Sequence, residues 1–320
     1  MFSDKNAPEN QKQTGPDSPA AADKPFYVVG DTALAYYLSA KLTDAGRRVI
    51  AISDKASNTS LSTNGFILKE DRSLKNARYR LTTSFWMKEK AELVLLCASA
   101  SKLNAFLSSL SRPKIDAAPV LCFSAHKDIE YIEGILGPNV CAAYFDGFLK
   151  LEGQQLLLFG RSPSITVCKN RTWKENNPFP GLFAGTDINL CFEDNENAGF
   201  WNFFAPYAVG SLITAVGGKN IFDITKDKQL REELSPLIAE MAGLAAVDGI
   251  KLDEENVLKK LYNIPMNYVY PLQQEIKNGG RGEIGVISSV ITNASRAAKT
   301  RVPAAKLNGL LKKLYDLTLA

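Results

Sequence analysis

A chain of 320 residues with 45% hydrophobic side chains is long enough for two domains with proper cores. Its formal charge of +4 is spread over 38 basic and 34 acidic side chains, and no basic run is interleaved with aromatics, which argues against nucleic-acid binding. One histidine, His126, excludes a multi-histidine metal centre. The five cysteines (Cys97, Cys122, Cys141, Cys168, Cys191) include no C-x-x-C pair and read as small buried side chains of a reducing compartment, so neither disulfide nor metal is expected.

Residues 1–24 are polar, carry Pro, Gly and Ser, and lack the apolar segment of a signal peptide. They read as a disordered tail on a cytoplasmic protein. The run KPFYVVG (24–30) is strand-like, TALAYYLSAKLTDAG has helical apolar spacing through Ala35, Leu38 and Leu42, and Gly46 is placed to stop that helix. RRVIAIS (47–53) is a second strand, so the first segment is a βαβ unit of a parallel sheet. The pattern continues with a strand at 91–99, a helix at 101–111, a strand at 118–124 and a helix at 128–137. VCAAYFDGFLKLEGQQLLLFGR (140–161) alternates like late edge strands, with tight turns expected at Gly147 and Gly153.

Beyond about residue 195 the spacing predicts helices at 198–218, 228–248, 253–262, 272–277, 283–300 and 304–319. The uncharged stretch 198–218 has the length of a membrane span. Its Asn202, Pro206 and glycines fit a buried helix at a domain junction better, and no membrane partner is expected. Leu307, Leu310, Leu311 and Leu314 give the last helix an apolar face, which leaves packing on its own domain and a homodimer both open. The predicted class is α/β followed by all-α: a Rossmann-like parallel sheet at 25–195 and a helical domain at 196–320.

Within VVGDTALA (28–35) a dinucleotide-binding turn would read G-x-G-x-x-G. Gly30 supplies the first glycine, while Thr32 and Ala35 stand at the second and third. Ala35 is compatible with close helix–strand packing. Thr32 puts a branched Cβ where the pyrophosphate lies, and Asp31 is placed to cap the N–H groups that a phosphate would use. A carboxylate about 5 Å from a phosphate charge costs on the order of 3 kcal/mol at an effective dielectric of 20. Ser53 and Lys55 stand where a 2′-phosphate is read, so an impaired site and a working NADPH site both remain open.

LFAGTDINLCFEDNENAGFWNFFAPYAVGSLITA, EMAGLAAVDGIKLDEE and PLQQEIKNGGRGEIGVISSVITNASRAAKTRVPAAKLNGLL resemble successive segments of the ketopantoate reductase (2-dehydropantoate 2-reductase) family. With the βαβ start and ELVLLCAS, the resemblance covers residues 26–311. It implies a helical domain like the C-terminal domain of 6-phosphogluconate dehydrogenase. It also implies NADPH-dependent reduction of a 2-keto acid, in that family a step of pantothenate biosynthesis. The family's proton-donating lysine falls on Phe203, beside the retained Trp201. Its asparagines fall on Tyr207, Ser211 and Ser124, its serine on Pro271, and the lysine after its fourth strand on Ser99. Its glutamate is kept as Glu283.

Two roles are open for what replaces that site. Tyr207, one helical turn past Phe203, could donate a proton with Glu283 as partner, or Phe200, Trp201, Phe203, Phe204 and Tyr207 could fill the cleft. Glu283 is also placed to stabilise the start of the last long helix but one. Lys219 lies sixteen residues beyond position 203, about 24 Å along a helix, and cannot stand in. The expected function is a reductase of a small keto-acid-like ligand whose catalytic lysine and asparagines are gone. The alternative is an inactive relative that binds a ligand or a protein partner.

Overall fold

A computed structural model of the chain describes residues 24–70, 76–123, 129–168, 177–298 and 304–319. Of the expected tail only Lys24 is among them, and Ser124 and His126 lie outside the described residues. The chain opens with β1 (Phe26–Val29), α1 (Ala33–Asp44) and β2 (Val49–Ile52), the βαβ unit expected from its apolar spacing. Gly46 follows α1 with a φ of 75°, the left-handed geometry that glycine adopts freely.

Next come α2 (Lys55–Thr63), β3 (Phe66–Glu70), β4 (Asn76–Tyr79) and β5 (Thr82–Ser84). Polar bonds hold α2: Asp54 caps it at Ser57 N (2.9 Å), and the buried Asn58 amide donates to the Ser53 and Ser84 carbonyls. β6 (Leu93–Leu96) leads to a tight turn at Ala100–Lys102, α3 (Leu103–Leu107) and α4 (Arg112–Ile115). These short pieces replace the single helix expected at 101–111; Pro113 suits the first turn of α4 and not a helix interior. Then follow β7 (Val120–Cys122), α5 (Ile129–Leu136), β8 (Val140–Glu152), β9 (Gln155–Cys168), α6 (Phe179–Leu182) and β10 (Asn189–Glu193).

The strand order is β4-β3-β9-β8-β7-β6-β1-β2-β5, with β10 also on β9. From β5 to β8 all neighbours are parallel, and β8 turns back into β9 as an antiparallel hairpin. The tight turn expected at Gly147 is not there. Gly147 sits inside β8 at a register shift between Asp146 and Phe148, where a Cβ would press on the Phe145 ring and on Pro163 at 2.8 Å. The hairpin turns at Gly153 (φ 58°), as expected.

Alternate strand residues feed two cores. Tyr27, Val29, Val94 and Leu96 face the core shared with the helical region, while Phe26, Val28, Leu93 and Leu95 face a second core with α1 and α6. Cover on both faces is why these strands are apolar at every position. Four cysteines are buried as expected, but Cys191 on β10 is exposed.

The helical region comprises α7 (Glu196–Gly217), α8 (Ile221–Lys226), α9 (Lys228–Val247), α10 (Glu254–Tyr262), α11 (Pro271–Lys277), α12 (Gly282–Ala297) and α13 (Ala305–Leu317). Asn195 caps α7 and Gly218 ends it in the left-handed conformation. α7 is packed by α9, α10, α11, α13 and the β8–β10 strands, so its uncharged stretch is internal. Among the described residues no helix is long and apolar enough to cross a membrane. Leu307, Leu311 and Leu314 of α13 are buried against the chain's own helices.

Candidate functional site

The β1–α1 turn keeps the tight geometry of a nucleotide-binding turn. Gly30 has a φ of 145°, and a Cβ there would collide with the Cys97 carbonyl. The side chains around it are engaged with one another. Thr32, not Asp31, caps α1: its Oγ1 accepts from Ala35 N at 3.4 Å and donates to the Cys97 carbonyl at 2.7 Å. Asp31 instead pairs with Lys102 Nζ at 2.7 Å and meets Ser99 Oγ at 3.4 Å.

Lys102 also pairs with Asp54 at 2.9 Å, so one ammonium bridges the ends of β1 and β2. The Ser57 N–H, and then Lys102, hold the Asp54 carboxyl down at about 2. The two carboxylates in turn push the Lys102 ammonium up.

Asp54 and Lys102 were not singled out in the sequence. Asp54 carried a signal, an aspartate three residues before a serine at a helix start. Lys102 carried only its place three residues past Ser99. Ser53, expected to read a 2′-phosphate, is buried, and its hydroxyl finds no partner among the described residues. Lys55 is exposed. A pyrophosphate entering this turn would meet Thr32 and displace Lys102 from between two carboxylates, while Asp54 stands at the end of β2, where the ribose of a dinucleotide is read.

The second site lies beside α7. A cavity of about 770 Å³ is bounded by the β8–β9 hairpin, β10, α7, α10 and the segment before α11. Phe200, Trp201 and Phe204 belong to the core, and Trp201 Nε1 donates to Asp248 at 2.6 Å. The aromatic cluster therefore does not fill the cleft: Phe203 and Tyr207 line it and leave it open. Phe203 stacks on Tyr144 at 5.2 Å and on Tyr207 at 5.7 Å, forming a row of ring faces.

The Tyr207 hydroxyl donates to Glu283 Oε1, a bond between α7 and α12. Burial, and then the Glu283 charge, push the phenol pKa up, so the ring carries its proton at neutral pH. Burial also raises the Glu283 carboxyl, against the pull of the Tyr207 bond. Glu283 does not supply the cap expected of it. Glu275 does, accepting from Gly282 N and Glu283 N at 2.8 Å each. Ser211 is fully buried one turn past Tyr207 and is not on the cavity wall. Pro271 opens α11 at a position where no N–H is needed.

The cavity also holds groups that the sequence reading missed. Asn256, Lys260 and Asn263 line it from α10 and its end. Their spacing of four and three residues on a helix with Val257 and Leu261 inside was the available signal.

The chain is thus a Rossmann-like sheet followed by helices, with a cavity against the first long helix. The chain is similar in structure to D-mandelate dehydrogenase solved with NADH and anilino(oxo)acetate (TM-score 0.79, 19% identity, covering 92% of this chain and 98% of that one). It is also similar to a ketopantoate reductase from Ralstonia eutropha JMP134 (TM-score 0.76, 18% identity, 93% and 100% covered). A dimeric ketopantoate reductase from Staphylococcus aureus gives a TM-score of 0.73 at 15% identity, with 92% and 99% covered. No protein-family model matches the chain, and no curated protein matches it in sequence. At these identities the likeness establishes the fold.

Proposed function

We propose that this chain is a ligand-binding protein on the ketopantoate reductase fold, taking a small organic acid in the α7 cavity and working without a dinucleotide. The observation that carries the reading is Lys102, which joins Asp31 to Asp54 where a pyrophosphate would enter. The family's lysine position is Phe203, whose ring has no proton to give to a carbonyl oxygen. The cavity, by contrast, is roomy and lined by aromatic side chains, the usual character of a small-molecule site.

The Tyr207–Glu283 bond favours a second reading, a reductase of a 2-oxo acid. There Tyr207 would pass its proton to the ligand oxygen and recover one from Glu283. Incubation with NADPH or NADH and a panel of 2-oxo acids, followed by nicotinamide absorbance, separates the two. The proposal expects no oxidation with any acid. Turnover that is lost in Tyr207→Phe would overturn it in favour of the reductase.

A further inference from the structure

We infer that Lys260 is the anion anchor of the α7 cavity, and that the ligand is a carboxylic acid with an aromatic or flat apolar body. The inference rests on the cavity being the binding site. Pro206 lies inside α7 and has no N–H, so the Asn202 carbonyl one turn back has no donor from its own helix. Lys260 Nζ, from α10, donates to that carbonyl at 3.1 Å. This ties the lysine to the cavity wall through a neutral partner and uses one of its three N–H groups.

Two donors and the positive charge of Lys260 remain beyond this exposed contact, on a residue that is half-buried as a whole. Among the described residues no carboxylate pairs with it. Asp146 and Glu193 also reach the lining, but Asp146 is exposed on β8 and Glu193 accepts the Asn195 N–H at 3.0 Å. An ammonium held at a cavity wall by a neutral carbonyl has N–H groups to offer an anion brought by a ligand, through a charge-assisted hydrogen bond. Asn256 and Asn263, one turn to either side, add amide groups for a neighbouring oxygen. The row of Tyr144, Phe203 and Tyr207 rings along the wall then receives the apolar body of the acid.

Isothermal titration of the full chain with phenylpyruvate and with its uncharged methyl ester tests the anchor. The acid should bind, and the ester should bind roughly 10- to 100-fold more weakly, the range of one hydrogen bond to a charged group. Lys260→Met should weaken the acid to the level of the ester and leave the ester unchanged, while Lys260→Arg should restore the acid. Lys260→Met also frees the Asn202 carbonyl, so its unfolding midpoint is taken beside the wild type; the acid–ester comparison on unmodified protein does not depend on that variant. Equal affinity for acid and ester overturns the anchor and leaves the cavity reading standing. Absence of heat with both compounds removes the cavity reading and the anchor with it.

Discussion

The β1–α1 turn and the α7 cavity are held by the same fold and differ in what satisfies their polar groups. At the turn the chain answers its own charges: Lys102 lies between Asp31 and Asp54, and Thr32 closes on the Cys97 carbonyl. Of the groups there, the buried Ser53 hydroxyl has no partner among the described residues. At the cavity Lys260 meets, among the described residues, a backbone carbonyl, and Phe203 and Tyr207 line the open space. If the proposal holds, the shape of a nucleotide-binding turn has persisted here while its polar groups pair with one another. Donors without a partner are the better guide to where a ligand goes.

The comparison can be broken most forcefully at the turn. Replacing Asp31 and Asp54 together by serine removes both carboxylates and should raise affinity for NADPH by at least roughly a hundredfold, by the Coulomb energy of a carboxylate near a phosphate. Isothermal titration reads this directly. If binding stays undetectable, charge is not the block and Thr32 is.

A smaller effect is expected where the cavity meets the core. A Cβ on Gly210 of α7 would run into the buried Tyr270 ring, so Gly210→Ala should cost about 1–3 kcal/mol of stability as overpacking. The midpoint of urea unfolding checks it, and an unchanged midpoint would mean that the α7–α11 contact is loose.

Glu283→Gln tests the bond between Tyr207 and α12 through pH. The folded carboxyl titrates above its unfolded value, because burial favours the neutral acid. The folded state then holds the proton more tightly, so this group's contribution is full below about pH 4.3 and is lost as pH rises through the folded value. The glutamine variant keeps an oxygen for the Tyr207 hydroxyl and should lack that decline. Parallel declines in the two proteins between pH 4 and 8, measured by denaturant midpoints, would contradict the assignment.

The smallest effect is expected from Lys102→Met. Its pair with Asp54 is partly exposed and Asp31 is more buried, so their loss should cost about 1 kcal/mol, screened by salt. The Asp54 carboxyl, held at about 2, should rise yet stay below its ordinary value near 3.9, because the Ser57 N–H still binds it. Asp54 has a depressed folded value, so its contribution is present above about pH 3.9 and fades toward pH 2. Carboxyl chemical shifts followed through an acid titration give both numbers.

What could be read in advance follows from how each part is held. β1, α1, β2 and the long helices show apolar periodicity and glycine stops, which are local in the chain. α2 shows neither, since Asp54 and the buried Asn58 hold it by polar bonds. Gly147 was misread because a bulge calls for glycine as a turn does. The site was harder still. The next lysine along the chain from position 203, Lys219, falls past the end of α7 and pairs with Asp227 at 2.8 Å. Lys260 arrives from another helix, 58 residues away from Asn202, and Lys102 reaches Asp54 across 48 residues. Pairings of that separation leave no periodic trace.

The most direct test of the account is the affinity of the wild-type chain for phenylpyruvate measured with and without NADPH at millimolar concentration. The account predicts saturable binding with the same dissociation constant in both. Binding that appears only when NADPH is present would contradict it, and would return the chain to the reductases whose fold it shares.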